Sequence, residues 1–376
     1  MVIYISFVSL SLLLFYFSYN QYEEKENALG ISYKEPSSFL FVMGCLTLIL
    51  LFAFRGGTGT DTSGYNKTFR EMGNMSIVES ASISKDRLFY IINWITYHIS
   101  GGSLLFNNIV IGCIAYIPVF AVYKHYSNNY VLAVYFYIAT GAYFFAFNGQ
   151  REGLAIAITF AGFAFLANKK YLSYVILILF ASLFHSSAII ILPFGLMATK
   201  KTDSKIFIAF CIAIFVSSIY LWQLWDAAFR VLDLLGRDKI VESYGSLTEE
   251  AAMGTGVNIL RILVFGLPTL LGIVFYRQLQ EQNKHYYLIL NFNIFSTLLM
   301  FAASRTWYIA RLAYYFNVAM PLLLIELLNI VTEDSKTLFK YLMVFLFLIY
   351  IWVSLHTESR LLPYYFTIGN HVRVFN

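Results

Sequence analysis

Long apolar runs separated by short polar segments dominate the chain and predict its architecture. A helix needs about 20 apolar residues to cross a bilayer, with about 17–25 tolerated. Runs near this length cover residues 1–19, 37–54, 104–123, 130–147, 152–168, 206–224, 257–276, 286–303, 308–330 and 338–355. The pattern predicts an all-α polytopic integral membrane protein, a single membrane domain over residues 1–376 with roughly 11–13 transmembrane or re-entrant helices.

Two further apolar regions do not have the length of one span. Residues 88–99 are short for a span, and residues 171–197 are too long for one untilted helix. His185, Ser186 and Ser187 interrupt the longer region in its middle. We expect the longer region to form two short or tilted crossings, or a re-entrant hairpin, that break at His185.

Lysine positions favour two crossings of residues 171–197. With two crossings, one face receives Lys124, Lys169, Lys170, Lys200, Lys201, Lys205, Arg277, Lys284, Lys336 and Lys340. The positive-inside rule makes that face cytoplasmic. If residues 88–99 do not cross, segment 55–102 is an extracytoplasmic loop. Segment 225–256 is then a second one, and its first part has the pattern of an interfacial amphipathic helix.

Composition excludes several classes of protein. The chain is 59% hydrophobic and 12% charged, whereas a soluble domain is about 25% charged. The net charge of +5 fits cytoplasmic loop bias, and no soluble basic domain offers a nucleic-acid site. No CxxC, HExxH or Walker motif occurs, so no metal or nucleotide cofactor is expected. Residues 1–19 lack a basic start and a cleavage pattern, which predicts a retained helix.

A glycine-rich turn, Arg55 to Tyr65, follows the second apolar run. Gly57 and Gly59 can bring backbone N–H groups close to an anion. Arg55 adds a permanent cation and Asp61 adds a carboxylate. This combination suits the handling of a lipid-linked phosphate, and the simpler alternative is an ordinary polar loop.

Three more arginines lie at helix ends on the same predicted outer face. Arg151 opens an apolar run, where a cation opposes the helix dipole unless Glu152 or a bound anion compensates it. Arg305 and Arg311 flank the start of another run, near Tyr315. An arginine within a membrane normally faces a partner or a water-filled cavity, and its planar fork binds phosphate oxygens. Structural snorkelling to the interface is the alternative.

Two residues are candidates for a general base, and the sequence leaves the choice open. His185 interrupts an apolar run, and the unperturbed pKa of histidine near 6.5 suits proton transfer at neutral pH. Asp61 is the other candidate. A histidine in such a run is equally well explained as a core residue with its hydrogen bonds satisfied.

The order of these motifs resembles the EpsG-like branch of the Wzy polysaccharide polymerases. The resemblance rests on the Arg55–Tyr65 turn, on Arg151 before an alanine-rich helix, and on the segment around His185 ahead of Pro193. Where the family pattern leads us to expect Arg-Gln, this chain has Arg151-Glu152, which puts the role of Glu152 in doubt.

The resemblance implies a fold and a reaction. The fold would be similar to the multi-helical GT-C class of lipid-dependent glycosyltransferases, in the bacterial cytoplasmic membrane, without a metal. The enzyme would transfer a growing glycan from undecaprenyl pyrophosphate to the non-reducing end of another lipid-linked repeat unit on the outer face. Further candidate partners are a chain-length regulator and a flippase. In this scheme Arg151, Arg305 and Arg311 bind pyrophosphate, Arg55 and the glycine turn position phosphates or sugar, and Asp61 or His185 is the base.

Three other functions remain open from the sequence. A lipid-linked oligosaccharide flippase or secondary transporter would also have many spans, but no matched pair of interrupted helices in two halves is seen. An O-antigen ligase-like enzyme would use the same donor. A structural partner of a polysaccharide machine would not need polar residues on one face.

Overall fold

The computed structural model describes residues 1–26, 32–220, 256–304, 307–357, 361–368 and 371–375, and they are mainly helical. The helices are α1 Val2–Asn20, α2 Ser38–Ala53, α3 Thr62–Glu71, α4 Ile77–Ser82, α5 Arg87–Ser100, α6 Leu104–Tyr126, α7 Tyr130–Ala139, α8 Phe145–Asn148, α9 Gln150–Ala167, α10 Tyr171–Ser182, α11 Ile191–Ala198, α12 Lys205–Ile219, α13 Ile259–Val274, α14 Tyr276–Gln282, α15 Tyr286–Ala302, α16 Trp307–Asn317, α17 Met320–Leu327 and α18 Glu333–Thr357. The chain is therefore an all-α polytopic membrane protein, as predicted.

Helix length and composition identify the membrane-spanning elements. Within the described residues, α1, α6 and α18 are each long and apolar enough to cross a bilayer. Three bent pairs, α7 with the segment 142–148, α13 with α14, and α16 with α17, raise the number to six if each pair is one span. The shorter apolar helices are α2, α10, the segment 186–198, α12 and α15.

The long apolar region 171–197 breaks where the sequence predicts. Helix α10 ends at Ser182, a short 3-10 turn covers Ser186–Ile190, and α11 follows. His185 lies in the break itself. Backbone groups released by such a break need partners inside a membrane protein, and these partners form the candidate site described below.

The segment 55–102, predicted as a loop, contains three helices. Helix α3 carries Tyr65, and α4 begins with a capping box in which Ser76 and Glu79 each accept a backbone N–H of the other. Helix α5 ends at Gly101 in the left-handed conformation that favours glycine. The second predicted loop, 225–256, lies outside the described residues except for its last position.

The chain divides into two compact units, Met1–Ile189 with Thr332–Asn376, and Ile190–Val331. In the first unit α2 packs against α1 and α6, and α9 packs against α6 and α10. Its core is rich in fully buried aromatic rings, including those of Phe52 and Tyr116, which meet edge to face with centroids 5.5 Å apart. In the second unit α15 packs against α13 and α16.

Two short hairpins accompany the helices. Strands β1 (Tyr22–Glu26) and β2 (Ser32–Pro36) are antiparallel, as are β3 (Tyr364–Ile368) and β4 (His371–Phe375). The residue Arg55 forms an isolated antiparallel bridge with Phe366 in β3. The last strands of the chain are thus attached to the glycine-rich turn.

Candidate active site

A buried carboxylate, Asp86, joins two side chains that are distant in sequence. Its Oδ2 accepts a hydrogen bond from Arg151 Nη1 at 2.8 Å and lies 3.1 Å from His185 Nδ1. The Asp86 side chain is 3% exposed, whereas those of Arg151 and His185 are 31% and 20% exposed. The carboxylate is therefore shielded from water, and its two cationic or polar partners remain accessible.

Backbone bonds explain why Asp86 meets the break before α11. Asp86 is the residue before α5, whose first N–H groups have no partners within the helix. The Leu88 amide donates to the Leu183 carbonyl at 3.0 Å, and the Ser186 amide donates to Asp86 Oδ1 at 3.2 Å. The start of α5 thus supplies hydrogen-bond partners for backbone groups at the break between α10 and α11. These bonds hold His185 beside Asp86.

The contact with Asp86 determines how His185 can exchange protons. An ionised carboxylate only accepts hydrogen bonds, so the proton on neutral His185 belongs on Nδ1. Nε2 is then the basic nitrogen, and it lies 4.0 Å from Oε2 of the buried Glu152. An aspartate that orients a histidine in this manner produces a general base.

The surroundings of Asp86 stabilise its ionised form. Burial alone would raise the pKa of Asp86, but hydrogen bonds and charge from His185, together with Arg151 and the Ser186 amide, lower it below its usual value. Asp86 is therefore ionised at neutral pH. Its contribution to the stability of the fold is lost only as the pH falls through that lowered pKa.

The glycine-rich turn packs directly on the residues before Arg151. The Thr60 amide donates to Asn148 Oδ1 at 2.9 Å, and Thr62 Oγ1 lies 3.2 Å from the Phe147 carbonyl oxygen. Tyr65, in the helix that follows the turn, lies close enough to Arg151 to interact with its guanidinium. Two motifs separated by about 90 positions in sequence therefore form one surface.

Gly59 makes this close packing possible, and its replacement should disrupt the site. The residue has φ +100°, and a Cβ there would lie 2.4 Å from Asn148 Oδ1. We expect Gly59→Ala to lower stability by about 1–2 kcal/mol from the backbone conformation alone, with a further loss from the clash. Thermal unfolding of the detergent-solubilised protein measures the loss of stability, and polymer yield in cells measures the effect on the site.

The matched control is Gly64→Ala. Gly64 lies within α3, has no heavy atom within 4 Å of an added Cβ, and is exposed. Alanine should stabilise that helix by about 0.5–1 kcal/mol. Equal effects of the two substitutions would contradict the role given to Gly59.

Arg55 is buried, unlike a residue of an exposed loop. It is 1% exposed, with its guanidinium carbon 3.5 Å from the centre of the Phe52 ring, and Nη1 donates to the Phe52 carbonyl at 2.9 Å. Burial lowers the pKa of Arg55 to about 10, which leaves the group charged at neutral pH. The sequence identified the residue but did not reveal its burial.

The remaining candidate residues differ in their surroundings. Asp61 is exposed at the start of α3, and Gly57 is exposed in the turn. Arg311 and Tyr315 lie on α16 in the second unit, Arg311 partly exposed and Tyr315 fully buried. Arg305 lies outside the described residues. Asp86, Glu152, Arg151, His185 and Tyr65 are the residues that come together in the first unit.

Sequence reasoning did not identify Asp86. Lys85 and Arg87 flank it, so the local pattern resembles a solvated charge cluster ahead of a short helix. The only available signal was its position immediately before α5, where an acidic residue can serve a helix N-terminus. Among the described residues, no group of three or more His, Cys, Asp or Glu side chains is arranged to hold a metal ion.

Comparison with known proteins gives one match. The model of the EpsG family matches residues 38–366 of this chain, which include the glycine turn, Asp86, Arg151, His185 and the first three residues of β3. No curated protein and no solved structure matches the chain. EpsG-like proteins are Wzy-type polymerases.

Proposed function

Because the chain belongs to the EpsG family, we propose that it is a repeat-unit polymerase of polysaccharide synthesis. It transfers a growing glycan from undecaprenyl pyrophosphate to the non-reducing end of another lipid-linked repeat unit. The reaction takes place at the outer face of the bacterial inner membrane. A flippase and a chain-length regulator are its candidate partners.

The single observation that supports this reaction is the Asp86–His185–Arg151 cluster. Glycosyl transfer to a hydroxyl requires a base for the acceptor and a cation for the departing pyrophosphate. His185 Nε2 and the Arg151 guanidinium offer both around one carboxylate, at the distances given above. Each is partly exposed, which allows a substrate to reach them.

The proposed step assigns each atom a role. Nε2 of His185 accepts the proton of the acceptor hydroxyl while that oxygen forms a bond with the anomeric carbon of the donor sugar. The bond from this carbon to the pyrophosphate oxygen breaks, and the pyrophosphate leaves with the electron pair. Arg151 stabilises the charge that develops on it. Asp86 holds the imidazole and the guanidinium in position and stabilises the imidazolium that forms.

The other candidate residues have supporting roles in this proposal. Arg305 and Arg311 bind pyrophosphate, Tyr65 positions Arg151, and Tyr315 positions the substrate. Arg55, Gly57 and Gly59 position phosphate or sugar. Glu152 lies near Nε2 of His185 and assists the transfer of its proton. Asp61 is retained as the alternative base.

Contacts of β3 support the proposed orientation. The lysine pattern predicts that the end of α18 lies on the outer face, together with the glycine turn. Consistently, the Gly56 amide donates to the Tyr365 carbonyl at 2.7 Å, and the Thr367 amide donates to the Phe54 carbonyl at 2.8 Å. A strand after α18 and the turn after α2 are therefore neighbours, as one shared face requires.

The proposal is tested by the surface polysaccharide of cells that lack this gene. Deletion should reduce the ladder to single repeat units, and the wild-type gene should restore it. Arg151→Ala and Arg311→Ala should fail to restore the ladder, because each removes a cation that binds pyrophosphate. We expect each to lower polymer yield at least about a hundredfold. Blots of the membrane fraction verify that each variant is inserted.

Arg277→Ala is the control. Arg277 is exposed in α14, on the predicted opposite face, and its loss should leave the ladder intact. Full-length polymer in the deletion strain would reject the polymerase. Absence of displayed units would indicate a flippase, and lipid-linked polymer that is made but not attached would indicate a ligase.

A further inference from the structure

A cavity of about 670 Å³ lies beside the glycine turn, and Arg55 is the one lining residue to which the proposed function gives a role. Arg55, Arg70 and Thr367 line it, with Asn108 and the segment from Ser100 to Leu105. None of Asp86, Arg151, Glu152 and His185 is among the lining residues. Two arginines face this space, and none of the described lining residues is a carboxylate.

Arg55 gives the cavity a buried positive charge whose donors are incompletely satisfied. Its Nε and Nη2 are buried and, within the described part of the chain, have no hydrogen-bond partner. Leaving charged donors unpaired in a protein interior is costly, and two nearby aromatic rings compensate only in part. A bound anion beside Arg55 would balance this buried positive charge.

Other residues of the lining add further groups suited to an anion. Ser103, Leu104 and Leu105 form the start of the 23-residue helix α6, where the positive end of the helix dipole and unpaired amides favour negative charge. Gly101, with φ +62°, also lines the cavity, and the position that a Cβ would take there is open space. The Thr367 hydroxyl, contributed by β3, is buried without a partner among the described residues.

We propose that this cavity binds a phosphate oxyanion carried by the lipid-linked substrate, between Arg55, Arg70 and the start of α6. This inference rests on the proposed function, because it assigns a second phosphate-binding place to the same enzyme. Such a place is chemically reasonable, since donor and acceptor each carry a pyrophosphate and only the donor's leaves. Arg70 is the accessible arginine at the cavity, and Arg55 is the buried one.

Binding to the purified full-length protein in detergent tests the proposal. The probes are farnesyl pyrophosphate, farnesol and inorganic pyrophosphate, with affinities measured by calorimetry. We expect farnesyl pyrophosphate to bind and farnesol to bind at least about tenfold more weakly. Arg70→Gln should weaken farnesyl pyrophosphate about tenfold, because a charge-assisted contact is lost, and Arg70→Lys should restore part of it.

Lys67→Gln is the matched control. Lys67 is on the same helix one turn away, its side chain is 81% exposed, and it does not line the cavity. The substitution should leave the affinity for farnesyl pyrophosphate unchanged. If Arg70→Gln weakens the binding of farnesyl pyrophosphate alone, the cavity recognises a phosphate carried by a lipid. An equal effect on inorganic pyrophosphate would also support the oxyanion site, but would indicate recognition of the phosphate without the lipid.

Two results would overturn the proposal. One is unchanged affinity in Arg70→Gln and Arg55→Lys, both correctly folded by thermal unfolding. The other is farnesol binding as tightly as its pyrophosphate. Failure of the polymerase proposal is distinguishable from this, because the ladder in the deletion strain measures polymerisation and the calorimetry measures only binding.

Discussion

Asp86→Asn is expected to abolish polymer formation while the protein stays folded in the membrane. The amide keeps the shape of the carboxylate but loses the charge that holds Arg151 and stabilises a protonated His185. It can also donate a hydrogen bond to Nδ1, which favours the wrong tautomer of the imidazole. General base catalysis contributes about a hundredfold to ten-thousandfold, so we expect polymer yield to fall at least about a hundredfold.

The measurement compares ladder intensity with the amount of inserted protein. Glu71→Gln serves as the control, because Glu71 is 46% exposed and its only ion pair among the described residues is at 4.0 Å with Lys67. It should behave as wild type. Asp61→Asn separates the two candidate bases: if it abolishes polymer while Asp86→Asn does not, the Asp86–His185 pair is not the base.

The apolar pattern could predict the helices because the bilayer restricts the possible elements. Runs near 20 residues must form spans, and the break at His185 followed from a length too great for one helix. The number of full crossings is less predictable, since α7, α13 and α16 each bend into a second segment. Such bends depend on packing with neighbouring helices, which periodicity does not reveal.

The site was only partly predictable because its central contact is long-range. Arg151 and His185 were recognisable since each charge or ring is unusual within an apolar run. Asp86 lies 65 positions from the first and 99 from the second, and beside Lys85 and Arg87 it is locally unremarkable. Only the fold shows that this carboxylate is the buried one and that the exposed Asp61 is not in the cluster.

The contacts of β3 were not predictable from local pattern. Residues 364–368 form too short a strand to be identified by alternation, and pairing of such strands depends on tertiary context. In the structure the Tyr365 amide donates to Thr58 Oγ1 at 2.8 Å, and the Tyr364 hydroxyl donates to the Leu51 carbonyl at 2.6 Å. These bonds hold the chain on both sides of Arg55.

Removal of residues 361–376 is therefore expected to reduce polymer formation, although these residues are far in sequence from the candidate base. The truncation deletes hydrogen bonds to the turn worth about 1 kcal/mol each. It also removes the buried Tyr364 ring, worth about 1.5–3 kcal/mol, and opens the cavity at Thr367. We expect a lower unfolding temperature in detergent and at least about a tenfold loss of polymer.

A shorter truncation isolates the contribution of β3. Removal of residues 371–376 deletes β4, which pairs with β3. It leaves in place the bond that Gly56 donates to Tyr365 and the bond that Tyr365 donates to Thr58. Polymer should then be largely retained. If both truncations were equally inactive, the hairpin as a whole would matter. If both were active, β3 would not position Arg55. Because the bonds reach Leu51 and Thr58, on both sides of Arg55, the longer truncation should alter the geometry of Arg55 and the glycines and leave the Asp86–His185 pair intact.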